Sequence, residues 1–327
     1  MLQSISDVQA AIRSGRPLLL AGSEPALRQL PRGNWIAGTI PYFMGADGGV
    51  CTETHVFVTE LPADATSHSI AVYSVDTLPQ ICEDAPANGF SVLIVPSGSA
   101  VHAAYAENAP GYENMFLRPV IGWVAGVHLS QIGAAHATVF DGRSASPLTD
   151  AAVVMHVALP ENKLADVSII NVFRAGSGDV ITFDEAGFGA TACRINGVPA
   201  NLAHYMLEKG IDPRLPLTAE YGASVVNVSV QQVDRESGAV AFYAPVFPGV
   251  DYRFAAPVDD YVAAFETAAG HAPSAPAFAC NCILNYVHAN LEGRRTGHIT
   301  GPMTFGEIAH QLLNQTCVEL TIRDVAA

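Results

Sequence analysis

Apolar residues in this chain come in short runs, and that limit on length decides most of what the chain can fold into. The longest, Pro119 to Val127 and Ala152 to Leu159, fall well short of the roughly 18 apolar residues a membrane-crossing helix needs. Runs of this size, bounded by turn-forming residues, suit buried strands and short helices. Half of the chain is hydrophobic and only 14% is charged. The runs can therefore be buried together in a large core, and wholesale disorder is excluded.

Charge narrows the partners. Asp and Glu number 31 against 16 Lys and Arg, a formal net charge of −15 over 327 residues. Duplex binding needs a cationic face that displaces counterions, and docking on an anionic membrane needs one too, so neither partner is expected. The N-terminus, Met-Leu-Gln-Ser-Ile-Ser-Asp, has no basic start, long apolar stretch or small-residue cleavage site. The six cysteines are scattered and form no disulfide framework. The expectation is a cytoplasmic protein with reduced thiols.

Strand and helix signals alternate through the first 140 residues. A polar, turn-rich stretch, Asp141 to Asp150, marks the expected junction between a 1–145 α/β domain and a 146–327 β-rich domain. Beyond it strands dominate, with helices expected after Pro199, at Val258 to Ala269 and at Phe305 to Gln315. The fold class is α+β: mixed, mostly antiparallel sheets with flanking helices, two sheets face to face in an αββα layering.

Catalytic signatures are absent. There is no Gly-x-Ser-x-Gly elbow and no phosphate loop ending in Gly-Lys-Ser/Thr. Gly176-Ser-Gly178 is half a dinucleotide fingerprint with Ile181 at the third glycine position, so no cofactor is expected. Cys280-Asn281-Cys282 is the one close cysteine pair. On a strand both thiols share a face, but the spacing does not suit a structural zinc site and no second pair exists. Two buried thiols are the expectation, with no metal.

The residues around position 300 suit an anion. Arg294 and Arg295 lie among Gly293, Gly297 and Gly301, and Thr304-Phe305-Gly306-Glu307 follows. Thr304 and Glu307 have capping-box spacing, which predicts a helix start here. Mobile glycine-rich backbone, two guanidiniums and free helix amides together suit a small carboxylate.

The same region resembles a known family. Phe278-Ala-Cys280, then Gly301-Pro-Met-Thr-Phe-Gly-Glu-Ile308 and Leu312-Leu-Asn-Gln-Thr316, resembles the end of the FIST sensory family. Ile195-Asn-Gly-Val-Pro-Ala200 is similar to its Gly-x-Pro-Ala step before a helix. Trp35-Ile-Ala-Gly38-Thr39 is similar, more weakly, to its Gly-Cys-Ser-Thr turn. The chain departs from the family at Ile283, where an Arg is common, and at Pro41-Tyr-Phe-Met, as a divergent relative does. The resemblance implies an intracellular, small-molecule-sensing input module of bacterial signalling, with an amino-acid-like ligand and a signalling partner. It also implies a pocket in which the Cys280–Asn281–Cys282 strand, Arg294, Arg295, Thr304, Phe305 and Glu307 face Gly38 and Thr39.

Two other readings stand beside this one. A cysteine enzyme would use Cys280 or Cys282 with His288 or His310 as base, and would need a depressed, partly exposed thiol. A partner-binding structural protein would work as a homodimer through an exposed sheet edge.

Overall fold

The computed structural model describes residues 1–221, 224–270 and 275–325. It is an α+β fold of mixed, mostly antiparallel sheets with flanking helices. A central six-stranded sheet runs Gln311–Leu313, Glu307–Ala309, Val120–Ala125, Gly89–Pro96, Ala152–Ala158, Ser67–Tyr73. Its middle strands are buried on both faces. Val92 and Ile94 enter one core, whereas Leu93 and Val95 enter another. A strand covered on both sides reads as an unbroken apolar run, which is why Phe90 to Val95 and Ala152 to Val157 carry so few charges.

On one side of the central sheet lies a sheet built from Leu2–Ser4, His55–Glu60, Leu18–Gly22, Trp35–Thr39, Val139–Asp141 and Ser146–Leu148. Leu19, Ala21 and Ile36 face the shared core. Leu18, Leu20, Trp35 and Ala37 face outward, beneath the helices Ile5–Arg13 and Glu24–Leu27. Ser4 and Ser23 cap those helices through their side chains, as residues in that position do. On the far side of the central sheet the helix Ala100–Asn108 makes the crossover between the parallel strands Gly89–Pro96 and Val120–Ala125. Helix, sheet, sheet, helix is the layering expected above.

A third sheet carries the site. Its order is Lys163–Ile170, Cys317–Asp324, Phe278–Cys282, Gly301–Thr304, Tyr42–Gly45, Gly48–Cys51. The expected boundary at 145/146 passes through this sheet, which takes two strands from before it and four from after. The central sheet also crosses it, through Glu307–Leu313. A fourth sheet, between Ile181 and Phe254, and a small three-stranded one close the second core. No helix among the described residues is long and apolar enough to cross a membrane.

One expected element is corrected. No helix begins at Thr304. Gly301–Thr304 is a strand, and Glu307–Ala309 pairs with Gln311–Leu313 as a hairpin on the edge of the central sheet. His310 turns the hairpin at φ 62 and Gln315 has φ 49, both outside helical geometry. Ile308 faces one core while Ala309 and Leu313 face the other, a two-sided burial that period-2 strands supply and a single helix face does not. The last helix among the described residues is instead Ile283–His288, directly after the strand that carries Cys280 and Cys282.

Gly122 is where the central sheet leaves no room. A Cβ there would run into the carbonyl of Leu93 on the neighbouring strand. Gly122→Ala should lower stability by about 3 kcal/mol, the upper range for overpacking, read as a shifted urea midpoint. Gly111→Ala, where a Cβ meets nothing within 4 Å, should stay within about 0.5 kcal/mol. Equal midpoints for the two variants would show that the sheet relaxes around Gly122.

Candidate functional site

The site grows from the carboxyl end of Phe278–Cys282. This strand pairs in parallel with Gly301–Thr304, and the short helix Ile283–His288 starts the crossover between them. Four expected residues meet in the layer behind. Glu307 is fully buried. Its Oε2 accepts from the Thr316 amide at 3.1 Å and the Thr316 hydroxyl at 2.8 Å. Its Oε1 lies 3.5 Å from Thr304 Oγ1, and that hydroxyl is 3.3 Å from the Asn281 carbonyl. Burial pushes the Glu307 pKa up to about 8, against the downward pull of hydrogen bonds from Thr316, Cys282 and Thr304. At neutral pH Glu307 is therefore mostly a neutral acid, with Oε2 as the acceptor and Oε1 free to carry the proton.

Asn281 extends the network outward. Its Oδ1 accepts from the Cys282 amide at 2.7 Å and from Asn285 Nδ2 at 2.9 Å. Its Nδ2 reaches the Tyr261 hydroxyl at 3.4 Å. Asn285 and His288 stand three residues apart on the short helix and so share a face. Each has a buried polar atom with no protein partner: Asn285 Oδ1 and His288 Nδ1.

Both residues line a cleft of about 560 Å³, together with Tyr261, Arg214, Arg294 and Gln315. Such a volume suits a small molecule. Arg214 is held by Asp212 in a two-pronged pair, with contacts of 2.6 to 3.0 Å. Arg294 has no carboxylate partner among the described ion pairs; one of its nitrogens donates to the Ala289 carbonyl at 3.0 Å. Burial, then the charge of Arg214, lowers the pKa of His288, with Asp212 acting the other way. Its imidazole is neutral at pH 7.

The loop carrying Arg294 is not the mobile glycine-rich backbone expected. Gly49 donates to the Arg294 carbonyl at 3.0 Å and accepts from Gly293 at 2.8 Å. A Cβ on Gly49 would collide with the carbonyl of Leu291. The close approach of two backbones fixes the guanidinium's base.

The expected residues thus divide. Arg294 lines the cleft. Asn281, Cys282, Thr304 and Glu307 form the buried layer behind it. Cys280 lies on the same strand with its thiol 3.3 Å from the Gly122 carbonyl. Arg295 points elsewhere, 3.5 Å from Asp47 with both side chains exposed. Phe305 lines a different cavity of about 470 Å³, with Phe188 and Tyr243. Gly38 packs against Ile94 and Trp123, and Thr39 Oγ1 accepts from the Thr138 amide at 2.9 Å; neither reaches the cleft. Asn285, Arg214 and Tyr261 were not anticipated, and His288, expected only as the base of a cysteine enzyme, lines the cleft. The signal for two of the cleft's residues lay in the spacing of Asn285 and His288, three apart, which is a helical rather than a strand period.

A family model described as a family of unknown function, DUF6976, matches residues 3–323. The chain belongs to that family. No curated protein and no solved structure matches it. The DUF6976 description carries no activity, so the reading of function rests on the cleft. Among the described residues no group of three or more His, Cys, Asp or Glu is placed to hold a metal. Cys280 and Cys282 are both about 1% exposed. Burial, then the nearby Glu307 carboxyl, pushes both thiols well up, the opposite of what a nucleophilic thiolate needs.

Glu307 has a measurable signature. Its folded pKa of about 8 exceeds the ordinary 4.5. The stability linked to it is fully present below about 4.5 and is lost as pH rises toward 8. The lowered pKa values of Met1, the half-buried His102 and the buried His156 act in the opposite sense, but equally in wild type and variant. Between pH 6.5 and 8 the stability of wild type relative to Glu307→Gln should therefore fall, by at most about 1.4 kcal/mol per pH unit. Urea titrations at four pH values would show it, and parallel profiles would mean that Glu307 is ionised throughout.

Proposed function

We propose that this DUF6976 chain is a small-molecule-binding protein whose cleft takes a small carboxylate or an amino-acid-like ligand. The observation that carries the reading is the lining of the cleft. Its lining includes Arg294, a guanidinium without a carboxylate partner among the described ion pairs, and Asn285 and His288, each holding a buried polar atom without a protein partner. Arginine reads a carboxylate through its fixed fork of donors, and buried polar atoms left unpaired are costly until a ligand or water reaches them. The neutral His288 adds no charge, and Arg294 makes no ion pair among the described residues, although Asp259 and Asp260 also line the cleft. Asp212 neutralises the neighbouring Arg214 and limits the site to a ligand of modest negative charge.

A sensory role, in the cytoplasm and with a signalling partner, extends this reading through the resemblance to the FIST family. A binding site without a catalytic constellation is consistent with it. The deeply buried, protonated thiols lend the cysteine-enzyme alternative no support.

Thermal-shift assays with amino acids, small carboxylates and nucleotides test the proposal. A carboxylate at about 100 times its dissociation constant should add about 2.7 kcal/mol of stability. The shift should disappear in Arg294→Ala and persist in Arg295→Ala, whose guanidinium lies outside the cleft. Stabilisation by nucleotides alone, or a carboxylate shift unchanged in Arg294→Ala, would overturn the assignment.

A further inference from the structure

The amides beside the cleft have a fixed polarity. A backbone N–H only donates, so the atom of Asn281 that lies 2.7 Å from the Cys282 amide is its oxygen. That same oxygen lies 2.9 Å from the Asn285 side chain, which must therefore turn its NH₂ toward Asn281. The atom of Asn285 left over is its carbonyl oxygen, and this is the atom without a partner. Asn281 and Asn285 are 5% and 1% exposed, so neither amide can rotate into water to escape the arrangement. His288 Nδ1, also unpartnered, donates or accepts according to its tautomer. Asn285 has no such choice and can only accept.

We infer that the cleft selects, among small anions, those that also carry an N–H or O–H donor, and that Asn285, oriented by Asn281, is the residue that selects them. The inference rests on the ligand-binding reading above and narrows it. Arg294 takes the anionic group, and Asn285 Oδ1 receives the donor. An anion with a carbonyl in place of the donor would set oxygen against oxygen and leave Asn285 unpaired. Sites built around a buried polar group reject the ligand that cannot pair with it.

The experiment is calorimetry on the full chain with matched acids: 2-amino, 2-hydroxy and 2-oxo acids bearing the same side chain, across several side chains. The expected result is binding of the amino or hydroxy acid, with the oxo acid weaker by about 10-fold or more, the usual cost of an unpaired buried acceptor. Asn285→Leu, similar in volume, should erase the preference. Asn281→Leu should weaken it by freeing the Asn285 amide to turn. The Cys282 amide keeps its bond to the Thr316 carbonyl at 3.1 Å in that variant. The wild-type comparison decides the matter even if neither variant folds. An oxo acid that binds as tightly as its partners, in an Arg294-dependent way, overturns the inference and leaves the binding proposal standing. A preference that survives in folded Asn285→Leu also overturns it. No binding by any acid of any series overturns the binding proposal and the inference together.

Discussion

Burial of the Glu307 carboxyl ties together the segments on which the site depends. Through Thr316 it holds the chain as it enters Cys317–Asp324, and through Thr304 it holds the end of Gly301–Thr304. Both of those strands flank or adjoin Phe278–Cys282. An acid in this position is stable only if its oxygens are paired and its charge is suppressed. Two threonines do the first and the proton does the second. The Asn281 carbonyl is reached from the same Thr304 hydroxyl. The backbone that launches the cleft helix is therefore fixed from behind.

The central sheet explains why the site lies where it does. Its middle strands are covered on both faces by packed cores, which leaves no space there for a ligand. Space opens where a parallel strand ends and a helix begins, at Cys282 and Ile283, because the chain must leave the sheet before it can return. Clefts at the carboxyl ends of parallel strands recur for this reason. Here the crossover is short, so one helix of six residues carries both unpartnered groups.

Much of the fold was legible in the sequence. Short apolar runs, their alternation with helical patterns and the turn residues between them led to a layered α+β arrangement. Boundaries and pairing partners were not legible, because they are set at long range. Thr304 and Glu307 have capping-box spacing, yet Glu307 bonds to Thr316, nine residues on, and the segment joins Val120–Ala125, nearly two hundred residues away. The same two residues satisfy a helix locally and a hairpin globally; sheet pairing and two-sided burial decide between them. The site was legible in part for the same reason. Arg294, Asn281 and Glu307 stand out by type, whereas Asn285 and His288 gain meaning only once residues 283–288 are helical. Arg214 enters from a distant loop that no local spacing reveals.

The whole chain is acidic and the cleft lining holds Asp212, Asp259 and Asp260 beside Arg214 and Arg294, so recognition of an anion depends on where the one unpaired guanidinium stands. A net charge of −15 repels anions at a distance, yet salt screens that repulsion beyond about 10 Å. Inside the cleft the nearest charges decide. Asp212 cancels Arg214 at hydrogen-bond distance, whereas Arg294 is left uncompensated among the described ion pairs. An anion thus gains from one guanidinium at short range, finds no second free cation beside it, and meets Asp259 and Asp260 in the same lining. On the proposed reading this arrangement favours one carboxylate over a multiply charged phosphate, whose greater charge meets greater repulsion on approach and no greater attraction on arrival. If the proposed ligand class holds, selection by charge ends at a single carboxylate, and any finer choice among carboxylates falls to the neutral polar groups of the lining.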